Sequence, residues 1–236
     1  MQKTPSCRVY NAVMRTFKTD LKEAIEHLPD ASVLVVDGVS WNEYEEFLDS
    51  VEEHPRFRTT FDQGRLEVVT TSLVHEKWKE FILRCVCIMC RELNLALESC
   101  GGFTQKRKRD KKGTEADTCF YVANAERIIG KDEIDINVDP PPDIVVEVDK
   151  ANQSRNKFPI YATVGVPEIW RCDIRRKRIE IYELRDNSYR QIPSSTFFPN
   201  ITGAVLVHFI EQSRTAGQTA ALSAFQQWVR AKMTSL

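Results

Sequence analysis

The chain has 236 residues, 42% hydrophobic and 28% charged, with a formal net charge of −1. That length allows one large domain with extensions, the balance is that of a globular protein, and the near-neutral charge does not by itself announce a polyanionic partner. No apolar run reaches the roughly 18 residues of a membrane span, the start Met1-Gln2-Lys3-Thr4-Pro5-Ser6-Cys7 lacks the apolar stretch of a signal peptide, and seven cysteines suit reduced cytoplasmic thiols rather than a disulfide framework.

Residues 8–28 carry Val13, Phe17, Leu21, Ile25 and Leu28 near helical spacing, and residues 1–30 read as an N-terminal helical extension to a domain over 31–236. Val33-Leu34-Val35-Val36 is a short strand. Ser40 with Glu43 three residues on forms a capping box for a helix bearing Tyr44, Phe47, Leu48 and Val51. Arg58 to Phe61 and Arg65 to Thr71 form a hairpin around Asp62-Gln63-Gly64. A long, mostly buried helix runs from His75 to Leu93. Ala96 to Lys108 reads as one strand kinked at Gly101-Gly102, Lys111 to Gly113 as a turn, and Ala116 to Val122 as a further strand.

Pro141-Pro142-Asp143-Ile144-Val145-Val146-Glu147-Val148-Asp149 has the β-branched run of a buried strand. A short helix over Lys157 to Val164, a strand over Glu168 to Asp173, a hairpin partner over Arg178 to Leu184, an edge over Tyr189 to Ile192 and a helical region from Phe209 complete the chain. The pattern specifies an α/β (α+β) fold, a mixed central sheet flanked by helices.

The acidic strand carries the most chemistry. Side chains alternate, so Asp143, Val145, Glu147 and Asp149 face one way, and buried carboxylates on one face repel each other and lose hydration. A divalent cation removes that cost; a solvated edge strand is the plainer alternative. Asp143 lies about 13 Å along the strand from Glu147, too far to share an ion in a straight strand, whereas Asp149 is about 7 Å away and could join the site or bind a basic neighbour. Asp117 opens the preceding strand and Lys157 the following helix, and two carboxylates plus a lysine suit metal-assisted phosphodiester cleavage. His75, with Glu76 beside it, stands at the start of the long helix, where it could contact a metal-bound water, a phosphate or a loop. Lys106, Arg107, Lys108, Arg109, Lys111 and Lys112 form a dense basic run, and Arg171 with Arg175 to Arg178 a second; such runs are solvated loops or hold a polyanion. Cys87-Ile88-Met89-Cys90 lacks the second ligand pair that zinc needs, and Trp170, Tyr161, Tyr182 and Phe120 read as core.

Tyr161, then Val166-Pro167-Glu168-Ile169-Trp170-Arg171-Cys172-Asp173, with Gly38 to Tyr44, Gly64 to Glu67 and His75 in order, resembles the bacterial Uma-two endonuclease family of the PD-(D/E)xK, restriction-endonuclease-like superfamily, over about Val33 to Leu184. The resemblance implies a restriction-endonuclease-like core and a Mg²⁺- or Mn²⁺-dependent DNA endonuclease. It puts Asp117 and Glu147 at the metal-binding positions and Lys157 at the position of a lysine supplied from the following helix. It departs from the superfamily pattern at Asp149, where a lysine is usual. It further implies DNA as partner, with the basic run on the backbone, and a homodimer. A catalytically inactive nucleic-acid-binding module of the same fold, and an interaction protein with a solvated acidic strand, are the rival readings.

Overall fold

The computed structural model describes residues 8–9, 21, 24–25, 28–30, 32–51, 57–149 and 153–233. In chain order the strands are β1 (Arg8–Val9), β2 (Val33–Asp37), β3 (Phe57–Asp62), β4 (Arg65–Thr70), β5 (Glu98–Gly101), β6 (Thr104–Arg107), β7 (Lys112–Glu115), β8 (Thr118–Tyr121), β9 (Ile144–Asp149), β10 (Glu168–Asp173), β11 (Arg178–Arg185) and β12 (Ser188–Ile192). The helices are α1 (Trp41–Ser50), α2 (Leu73–Glu92), α3 (Phe158–Val164), α4 (Gly203–Ala216) and α5 (Gln218–Met233). The helix expected over 8–28 falls largely outside the described residues; within it Leu21, Ala24 and Ile25 are helical. Its first two positions, Arg8–Val9, are a strand paired in parallel with Leu34–Val35, because a neighbouring strand's open hydrogen-bonding groups outweigh local periodicity.

The chain divides into two compact units, the first built from residues 1–73 and 104–115, the second from 74–103 and 116–236. The first has a six-stranded sheet in the order β1-β2-β4-β3-β7-β6. On it α1, fixed by the expected Ser40–Glu43 capping box, buries Trp41, Tyr44 and Phe47 against Phe61, Leu66 and Val68. Glu115 ends β7 and accepts hydrogen bonds from the Thr59 amide and from the Thr59 and Thr104 hydroxyls within this unit.

The second unit has a six-stranded mixed sheet in the order β12-β11-β10-β9-β8-β5, with β9 and β10 parallel and the other pairs antiparallel. Alternation sorts the side chains of β9. Ile144, Val146 and Val148 enter a core with Trp78, Phe81, Ile82 and Val86 of α2 and Phe209 and Phe225 of α4 and α5. Val145 enters a smaller core with Tyr161 and Val164 of α3 and Ile169 of β10. The segment expected as one kinked strand over 96–108 is instead two strands in the two sheets, broken where Gly101 takes φ +61°, a region glycine enters without steric penalty. The helical region expected from Phe209 begins earlier, at Gly203, where the Thr202 hydroxyl accepts from the Val205 amide as an N-cap. Among the described residues no helix is long and apolar enough to cross a membrane.

Candidate active site

The chemistry gathers in the second unit, on the face of the mixed sheet opposite α2's core residues. Strand β9 buries all six of its residues, and Glu147 lies on it opposite Arg171 of β10, one residue past the last pair with β8. Strand β8 starts only at Thr118, paired with Val146. Beyond that point the Val148 amide has no strand partner on the β8 side, and Asp117 Oδ2 accepts from it at 2.7 Å. Asp117 is thereby pinned beside Glu147, the two acids being 5% and 2% exposed.

Lys157 comes from the next connection. It ends a 3-10 turn, Gln153–Lys157, and is the N-cap residue of α3. From there Nζ donates to both oxygens of Glu147, at 3.1 and 2.9 Å. Tyr161, one turn into α3, donates its hydroxyl to Glu147 Oε1. His75, in the first turn of α2, places Nε2 3.0 Å from Asp117 Oδ2 and Nδ1 3.1 Å from Glu76 Oε1, and Glu76 in turn pairs with Lys79.

These contacts set the charges. Burial alone would lower the pKa of His75, but the Asp117 charge and hydrogen bond, with Glu76, lift it to about 9. Burial would raise Asp117, but the charges and hydrogen bonds of His75, Lys157 and the Val148 amide hold it at about 2. Glu147 is raised to about 7, chiefly because it is buried and then because Asp117 is beside it, against the opposing pull of Lys157 and Tyr161. Lys157 is shifted up: its burial is outweighed by the charges of Glu147 and Asp117. The site is therefore two carboxylates of unequal proton affinity, held between an imidazolium and an ammonium.

The remaining residues singled out from the sequence separate from this cluster. Asp143, at the head of β9, accepts from the Val122 and Asn124 amides and from the Asn124 side chain, and so fixes the loop after β8. Asp149 faces Arg171 and Ser154. Arg171, read from the sequence with the basic residues of 175–178, is instead buried at 1% exposure between Asp149 and Glu180, because strand alternation turns it inward. The basic run belongs to the first unit, at the turn between β6 and β7, where Lys106 and Lys108 pair with Glu45, Arg107 and Arg109 with Asp110, and Lys112 with Asp62. Tyr161, which sequence reading placed in the core, packs there and also hydrogen-bonds the site acid Glu147. The signal for it was its spacing, four residues after Lys157 and so on the same helix face.

Among the described residues no group of three or more His, Cys, Asp or Glu side chains is arranged to hold a metal ion. Two carboxylates are nevertheless a donor set that suits Mg²⁺, which keeps several waters and takes one or two carboxylates plus substrate phosphate oxygens. The Lys157 ammonium is the cation that Glu147 holds here.

The family model Uma2, described as "Putative restriction endonuclease", matches residues 41–209. The chain belongs to the Uma2 family. A solved structure, described as "a putative nuclease belonging to DUF820 from Anabaena variabilis ATCC 29413", superposes with a TM-score of 0.50 at 12% identity, covering 73% of this chain and 99% of that one. At that identity the likeness shows the fold. No curated protein matches the chain.

Proposed function

We infer that this Uma2 chain is a nuclease that hydrolyses DNA phosphodiester bonds with Mg²⁺ or Mn²⁺ at Asp117 and Glu147. The observation that carries the reading is the convergence of Lys157, from the connection after β9, on Glu147 beside Asp117. The cation, when bound, would supply a Lewis acid for the phosphate and lower the pKa of a water. The protein's own part follows from the contacts. His75 keeps Asp117 ionised and oriented. Tyr161 fixes the rotamer of Glu147. Lys157, were a cation held by Glu147, would turn its ammonium to the negative charge that develops on the phosphate. Lys108 and Arg109, with side chains 74% and 94% exposed, and the exposed Lys111 are the members of the basic run that present their charge to a DNA backbone. A homodimer, which would bring one such centre to each strand, and a cytoplasmic setting for the free thiols belong to the same reading.

The test is plasmid nicking with Mg²⁺ or Mn²⁺ by the wild type, Asp117→Asn and Glu147→Gln. Cleavage should fall by at least about 10³-fold in both variants, and equal activity would remove the assigned roles. A second reading, a nucleic-acid-binding module without catalysis, draws on one observation: Asp117 meets the His75 imidazolium and Glu147 the Lys157 ammonium, so the fold does not need a metal cation to tolerate either carboxylate. DNA retention on a gel without calorimetric affinity for Mg²⁺ or Mn²⁺ would decide for it.

A further inference from the structure

Position 149 is where the superfamily pattern puts a lysine, and Asp149 stands there with its own set of contacts. Asp149 is 4% exposed. Its Oδ1 accepts from the Ser154 amide at 3.0 Å and its Oδ2 from the Ser154 hydroxyl at 2.7 Å. Arg171 Nε also donates to Oδ2, at 2.9 Å. Arg171 lies directly across from Glu147 in the parallel β9–β10 register and across from Glu180 in the antiparallel β10–β11 register. Its Nη1 donates to Glu180 Oε2 at 2.8 Å. Glu180 in turn accepts from the Tyr182 hydroxyl at 2.9 Å, and that hydroxyl accepts from Arg155 Nη2 at 3.1 Å.

Both arms of this network end on the same short turn. Asp149 holds Ser154, and Glu180, through Tyr182, holds Arg155. Two residues later the turn delivers Lys157 to Glu147. A lysine on a flexible four-carbon stem loses rotamer freedom when it is held in place, and fixing the backbone that carries it reduces what remains to be ordered. A lone buried guanidinium or carboxylate would be costly, but here each charge meets an opposite one and further hydrogen bonds.

We propose that Asp149, bridged by Arg171 to Glu180, is the positioning residue for Lys157: the carboxylate that replaces the superfamily lysine clamps the turn from which the substitute lysine is supplied. The proposal deepens the nuclease reading and rests on it for the consequence of the clamp, not for its existence.

The experiment uses the full chain and two variants. Asp149→Asn keeps the shape and removes the charge. Ser154→Ala removes one hydrogen bond and changes no charge near the amine, so its effect reports movement of the turn alone. The first readout is the rate at which a small water-soluble amine-acylating reagent modifies Lys157, followed by peptide mass mapping. The second is Mn²⁺ affinity by calorimetry, and the third the kcat and KM of plasmid nicking. Lys157, 6% exposed in the wild type, should be acylated about tenfold faster in Asp149→Asn and about threefold faster in Ser154→Ala, as removal of a charged or a neutral buried hydrogen bond dictates. Mn²⁺ affinity should not fall, since Asp117 and Glu147 remain, and should rise as the looser Lys157 competes less for Glu147, while kcat falls and KM holds. Wild-type acylation rates in Ser154→Ala would overturn the clamp, also where Asp149→Asn fails to fold. Faster acylation with unchanged kcat in an active enzyme would overturn its catalytic consequence. A wild type that nicks no DNA would instead remove the nuclease reading, and the acylation rates would still judge the clamp.

Discussion

His75 shows how one side chain ties charge to stability here. The residue is 9% exposed, where a histidine would normally be neutral, yet Asp117 and Glu76 keep it charged through neutral pH. The sign follows from the shift. His75 is raised from 6.5 to about 9, so its contribution is complete below pH 6.5 and is lost as pH rises through 9. Asp117 is lowered from 3.8 to about 2, so its contribution is complete above pH 3.8 and lost as pH falls towards 2. Following the imidazole protons by NMR should give a His75 titration near 9, moving down by at least about one unit in Asp117→Asn, one unit being about 1.4 kcal/mol. Thermal unfolding of the wild type should lose stability between pH 6.5 and 9, and His75→Gln should lack that slope; an identical slope in both would mean that the pair contributes nothing. Asp117, Glu147 and Lys157 were legible as candidates because charged residues flanking or inside an apolar strand are expensive unless used. Tyr161 and Arg171 were not, since an aromatic residue in a helix and an arginine in a strand have ordinary packing or surface roles, and only the register shows which acids they meet.

At the scale of elements, two close fits carry predictions. A Cβ at Gly203 would lie 1.7 Å from the Ile179 carbonyl oxygen and 2.7 Å from its carbon, so the start of α4 sits directly on the backbone of β11. Gly203→Ala must push the helix off the sheet and should cost about 3 kcal/mol or more, read as a lower denaturation midpoint with little change in slope. The β6–β7 turn carries the second. Replacing Lys108 and Arg109 by alanine should weaken DNA retention evenly across sequences and reduce the slope of log affinity against log salt by about one for each phosphate no longer neutralised. An unchanged slope would show that neither side chain touches DNA. The elements that were legible, β9, α1 with its capping box and most of α2, have long periodic or β-branched runs. Strand β7 was hidden because Lys112-Gly113-Thr114-Glu115 has no such run and owes its extended form to pairing with β3 and β6. The true start of α4 was hidden because a glycine at the first helical position reads as a break, although Thr202 caps the helix there and the close approach to β11 leaves no room for a side chain at 203.

For the molecule as a whole, the fold class and the sequence order of the acids, the strand and the lysine could be read from the chain, while the division into two units could not. That division rests on residues 104–115 returning to join the strands of residues 1–73, and such long-range pairing leaves no local signature. The consequence for function is that the whole proposed metal centre belongs to the second unit, so its occupation should appear as stabilisation of that unit. At a free Mn²⁺ concentration about 100 times its dissociation constant the gain is about 2.7 kcal/mol, or roughly 5–10 °C in Tm for a protein of this size. Asp117→Asn should show no rise. Lys157→Met separates competition from simple binding. Its Glu147 loses its ammonium partner, so the variant should melt below the wild type without metal and should rise further than the wild type on adding Mn²⁺, because the ion no longer displaces a resident cation. A wild type that does not respond, with Lys157→Met that does, would mean that the lysine holds Glu147 too firmly for a cation to enter. That outcome would turn the balance from the nuclease to the binding module.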